Sequence, residues 1–101
     1  MGGSLYGAAI EKKNILLLHS YHSGMTWVEN INKAVYETLD PNRNEYVFHT
    51  EYMDTKRHNS AQYYASLKES YRNKYANTRF DLILSTDNNA FDFLLQNRNE
   101  L

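Results

Sequence analysis

Four consecutive apolar residues, Ile15-Leu16-Leu17-Leu18, constrain this chain more than any other feature in it. A strand with one face in water alternates polar and apolar side chains, whereas an unbroken run puts apolar groups on both faces. The run therefore suits a central strand of a parallel sheet with helices covering both sides. Its surroundings agree with that role. A strand over Asn14 to His19 is followed by a loop, Ser20 to Met25, that contains Gly24. Thr26 and Glu29 then stand at capping-box spacing and predict a helix start, with Thr26 as the cap. Val28, Ile31, Val35 and Leu39 recur at steps of three and four, which gives that helix one apolar face. Asp40-Pro41-Asn42 ends it, because proline cannot continue a helix and Asp and Asn favour turns.

The same strand, loop and helix pattern returns twice. Glu45 to Met53 alternates, with Tyr46, Phe48, Thr50 and Tyr52 on one face and Val47, His49, Glu51 and Met53 on the other. That mixed polarity predicts an edge strand. After a polar loop over Asp54 to Asn59, either Asn59 or Ser60 caps a helix whose inner stripe is Tyr64, Leu67, Tyr71 and Tyr75. Phe80 to Ser85 is the third strand, and its continuous Leu82-Ile83-Leu84 reads as buried. Asp87 or Asn88 caps a last helix with Phe91, Leu94 and Leu95 as its stripe and a polar end over Gln96 to Glu100. Alternating strands and helices mean βαβ units. Right-handed crossovers would place helices on both faces of a parallel sheet. The expectation is a three-layer α/β/α fold with strand order 2-1-3.

At 101 residues there is room for one domain and one core. The reading assigns residues 1–12 to a leader or linker and 13–101 to a single α/β domain. Met1-Gly2-Gly3-Ser4 looks like an added leader, and Gly7, Ala8 and Ala9 are small residues of the kind left beside a removed signal segment. Eleven Lys and Arg are spread among twelve Asp and Glu, for a net charge of −1, so no basic patch awaits nucleic acid. The absence of cysteine removes disulfides and thiolate chemistry together. No apolar run approaches the roughly 20 residues of a membrane span.

Open parallel sheets bind ligands at the carboxyl ends of their strands, where the strand order reverses. Here those ends read His19-Ser20-Tyr21-His22, Asp54-Thr55-Lys56-Arg57 and Thr86-Asp87-Asn88-Asn89, all polar. His19, Ser20, Tyr21 and His22 are candidate ligand contacts, set against the plainer reading of His19 as a packed residue with both ring nitrogens bonded. As a metal pair His19 and His22 lack the further ligands that zinc needs, so no metal is expected. Trp27 at the first helix start offers a face for stacking, or simply packs. Asp54, Lys56 and Arg57 carry both signs of charge, as recognition of a zwitterion or carboxylate requires, or form a local ion pair. Thr86, Asp87 and Asn88 open the last helix, where capping and contact with an anionic group are compatible.

Taken together, Ile15-Leu16-Leu17-Leu18-His19-Ser20-Tyr21-His22, Trp27, Glu51-Tyr52-Met53-Asp54-Thr55-Lys56-Arg57 and Ser85-Thr86-Asp87-Asn88-Asn89-Ala90 resemble the ABC-transporter substrate-binding-protein-like family. The resemblance implies a type I periplasmic-binding fold. It also implies a non-catalytic small-molecule sensor, periplasmic, in a bacterial membrane receptor that carries a histidine kinase, PAS or diguanylate cyclase module. The alternative within the family is a transporter's substrate-binding component. Relatives continue with further strands and a second lobe, so the chain corresponds to the first part of one lobe and one wall of a cleft. On that basis weak binding by this piece alone is expected, as is self-association through the edge of the third strand or through the apolar surface that the rest of the lobe would cover.

Rival classes fit less well. A receiver domain would nominate Asp54 or Asp87 as phosphoryl acceptor but needs an acidic cluster at the first strand end, where this chain has His19-Ser20. A flavodoxin-like or nucleotide-binding enzyme needs a phosphate-cradling loop. Ser20 to Thr26 offers one glycine and no matching lysine. No cofactor and no enzymatic activity are expected.

Overall fold

The computed structural model describes residues 12–40 and 45–98. Six elements follow one another: β1 (Lys13–His19), α1 (Thr26–Leu39), β2 (Tyr46–Tyr52), α2 (Ala61–Lys74), β3 (Leu82–Thr86) and α3 (Asn88–Asn97). The strands form one sheet in the order β2-β1-β3, with both pairings parallel. Ile15 lies between Phe48 and Leu82, and Leu17 between Thr50 and Leu84. The α/β architecture and strand order read from the sequence are those of the structure.

Side-chain parity divides the sheet cleanly. Residues Phe48, Thr50 and Tyr52 of β2 face α1, where the Tyr36 ring lies 4.7 Å from Phe48 and the Tyr36 and Thr50 hydroxyls are 3.0 Å apart. The opposite face carries Leu18 and Met53, packed with Tyr71, Ala90 and Phe93 and flanked by Tyr64, Leu67, Tyr75 and Leu94. Thus α1 covers one face, and α2 with α3 covers the other. Crossovers of one hand, the first stepping from β1 out to β2 and the second returning from β2 past β1 to β3, require α1 and α2 on opposite faces. The run Ile15 to Leu18 is almost wholly excluded from water, which explains its lack of alternation.

Local signals held unevenly. Ser60 is the N-cap of α2, and its side chain accepts the Tyr63 N–H at 3.1 Å. Thr26 is not a cap. Met25 occupies the N-cap position of α1 without a side-chain bond, and Glu29 turns its carboxylate outward to Tyr52 and Asn32. The helix ends at Leu39, with Asp40 accepting from the backbone N–H groups of Glu45 and Tyr46; Pro41 and Asn42 lie outside the described residues. Asp87 holds the N-cap position of α3 but makes no side-chain cap, and Asn88 is already helical. The Ala90 N–H there is taken instead by Ser20 Oγ at 2.8 Å. β3 also departs from the sequence reading. Its Leu82-Ile83-Leu84 is half-buried at best, with Leu82 42% exposed, because among the described residues it has β1 as its one strand neighbour. The leader and the polar end Asn99 to Glu100 lie outside the described residues.

Candidate functional site

Ser20, fully buried at the end of β1, ties the three strand ends together. Its N–H and hydroxyl both donate to Thr86 O, at 3.3 and 2.9 Å. Its carbonyl accepts the Thr55 N–H at 2.8 Å and the Thr55 hydroxyl at 3.0 Å. With the Ala90 bond, one residue joins β1, the β2 end, the β3 end and α3. Buried polar groups without partners cost about 1–3 kcal/mol each, so full use of Ser20 fixes the platform's geometry.

His19 has the same character. The ring is fully buried, stacks on Tyr52 at 5.4 Å, and uses both nitrogens. Asn32 Nδ2 donates to Tyr52 Oη at 3.1 Å and reaches Glu29 at 3.4 Å, which leaves Asn32 Oδ1 to accept from His19 Nε2 at 2.7 Å. His19 Nε2 therefore carries a proton, and Nδ1 lies 2.8 Å from the Thr86 hydroxyl oxygen, within hydrogen-bond reach. Tyr52 in turn donates to Glu29 Oε1 at 3.1 Å. Burial, and then the bond to the Glu29 carboxylate, hold the Tyr52 phenol above its ordinary pKa. His19 and Ser20 are buried and Thr86 is half-buried, and all three spend polar groups on internal bonds that brace the surface from below.

Above this brace lies an exposed layer. Tyr21 meets Trp27 edge to face at 4.9 Å, and Trp27 remains 41% exposed. The Lys56 ammonium stands 5.2 Å over the Tyr21 ring and donates to Asp87 Oδ2 and Asn89 Oδ1, each at 2.7 Å. One cation therefore joins the ends of all three strands. The Lys56 bond, ahead of every other cause, holds Asp87 below the usual carboxylate range, and Asp87 raises Lys56. Asn88 is exposed beside them.

Asp54 belongs to a neighbouring cluster. Arg57 binds both its oxygens, Nε to Oδ1 at 2.7 Å and Nη2 to Oδ2 at 2.9 Å, and this pairing depresses the Asp54 pKa. His58 Nε2 lies 3.8 Å away and His22 Nδ1 3.9 Å away; that His22 atom is buried without a hydrogen bond. Asp54 and Asp87 both have positive φ, 58° and 70°, and Asp87 with ψ 160° occupies a region almost reserved for glycine, which costs about 1–3 kcal/mol. Both strained positions follow strand ends and aim charged side chains at this surface. Among the described residues no group of His, Asp or Glu is arranged to hold a metal ion.

A cavity of about 450 Å³ adjoins the surface on the α2 and α3 side, lined by Ala61, Tyr64, Asn89, Asp92, Phe93 and Gln96. Asn89 belongs to both cavity and Lys56 network. Of the residues singled out from sequence, Tyr21, Trp27, Lys56 and Asp87 converge on one surface, with Asn88 beside them, while His22, Asp54 and Arg57 form the adjacent cluster. Sequence reasoning missed Asn32, Glu29 and Tyr52 of the brace and Asn89 at the cavity. Asn32 had a signal: it follows Val28 by four residues and precedes Val35 by three, so it interrupts the inward face of α1 with an amide. Comparison of the chain with protein-family models, curated proteins and solved structures gave no match.

Proposed function

We propose that the chain is a non-catalytic small-molecule-sensing domain, working outside the cytoplasm as part of a bacterial membrane signalling protein, and that the strand-end surface is its ligand contact. The observation that carries this reading is Lys56. It stands between Asp87, Asn89 and the Tyr21 ring, Asn89 also lines the cavity, and Trp27, partly exposed, packs on Tyr21. A cation and an anion held side by side next to an aromatic wall match a zwitterionic or carboxylate-bearing small molecule with an apolar part. The non-catalytic part rests on chemistry already spent. Ser20 Oγ is committed to Thr86 and Ala90, and both His19 nitrogens are bonded, so neither serves as nucleophile or base.

Trp27 is the chain's one tryptophan, so its fluorescence reports on this surface alone. Titration with a panel of free amino acids and short carboxylates at millimolar concentration should give a saturable change for at least one member. Lys56→Met should abolish it. A flat response across the panel, or undiminished binding by Lys56→Met, would reject the assignment.

A further inference from the structure

Among the described residues β3 has one edge without a strand neighbour, and its backbone parity is fixed by β1. His19 O accepts from Met53 of the β2 end, while Ser20 N donates to Thr86 of β3, so alternate β1 residues serve the two neighbours. It follows that Leu82, Leu84 and Thr86 turn their N–H and C=O groups toward β1, and Ile83 and Ser85 turn theirs outward. The strand Leu82-Ile83-Leu84-Ser85-Thr86 contains no charge, no proline and no bulge, the devices that ordinarily protect an edge.

Apolar surface flanks that edge on both faces. On the α1 side a groove of about 300 Å³ is lined by Ala34, Val35, Thr38, Leu39, Leu82 and Leu84. On the other side, α3 turns Ala90, Phe93 and Leu94 to the core and Asn89, Asp92 and Gln96 to the α2 cavity. Phe91 and Leu95, part of the apolar stripe expected from the sequence, are instead each 53% exposed and face away from the α2 cavity, which leaves them free to meet a partner beside β3.

We infer that this edge joins two copies of the chain, antiparallel and symmetric about Leu84. The register is self-complementary. Leu84 meets Leu84 as a close non-hydrogen-bonded pair, and Ile83 of each copy exchanges both backbone bonds with Ser85 of the other. A two-fold axis normal to the sheet places α1 beside α1 and α3 beside α3, so both apolar strips meet their own copies. A stable interface buries about 800 Å² per partner, more than a five-residue strand supplies, so the pairing requires the flanking strips to be buried with it. The electrostatic cost is Asp81 of each copy opposite Asp87 of the other, and Lys56 already sits on Asp87.

Sedimentation equilibrium of the 101-residue chain tests this, alongside two variants. Ser85→Pro removes an outward N–H and leaves the β1–β3 ladder intact. Leu95→Glu charges an exposed strip without touching the core. The parent chain should show a reversible monomer–dimer equilibrium, and each variant should weaken it by about tenfold or more. Slowed amide exchange at Ile83 and Ser85 on raising the concentration would support strand pairing even if Ser85→Pro misfolds. A monomer at every concentration, open-ended association, or dimerisation unaffected by Ser85→Pro would overturn the inference.

Discussion

Asn32 shows how much of the site depends on residues that never meet a ligand. Its amide accepts from His19, donates to Tyr52, and lies buried under the sheet. Replacing it by alanine leaves a buried imidazole N–H without a partner, which should lower the unfolding free energy by about 2–3 kcal/mol. Urea denaturation followed by far-UV circular dichroism would measure this, and a loss under about 0.5 kcal/mol would contradict the brace. Among single residues, Tyr21, Lys56 and Asp87 were legible in the sequence because strand-end polarity is a local signal. The plainer reading of His19, packed with both ring nitrogens bonded, is the one the structure has; its partners and the role of Ser20 were not legible, since they depend on Asn32, Thr55, Thr86 and Ala90, which only the fold brings near.

Among the described residues, periodicity located the three strands and three helices, and the residue types that end elements proved less reliable. Capping-box spacing at Thr26 and Glu29 did not produce a cap, because Glu29 is drawn to Tyr52 across the helix–sheet interface. Ser60 has no such competitor and caps α2. Ser60→Ala should therefore cost about 1 kcal/mol and Thr26→Ala less than about 0.5 kcal/mol, in the same denaturation assay. Equal losses at the two positions would mean that the helix starts are assigned wrongly. β3 was misread as buried for a different reason. Leu82-Ile83-Leu84 carries the same local signal as Ile15-Leu16-Leu17-Leu18, and what lies beyond a strand in the sheet is not written in the strand itself.

At the scale of the whole molecule, the carboxyl ends of the strands gather the polar chemistry, braced from below by His19 and Ser20 and adjoining the cavity between α2 and α3. Another concavity, about 330 Å³, lies at the far end of α1, and its lining among the described residues, Tyr36, Asp40, Tyr46 and Phe48, includes no cation. The central claim is that ligand binds at the strand ends and not there. Amide ¹⁵N–¹H spectra of the chain, titrated with whichever panel member alters Trp27 fluorescence, test it most directly. Shifts gathered at Tyr21, Trp27, Lys56 and Asn88 to Asn89 are the predicted result; shifts confined to Tyr36, Tyr46 and Phe48 would contradict it.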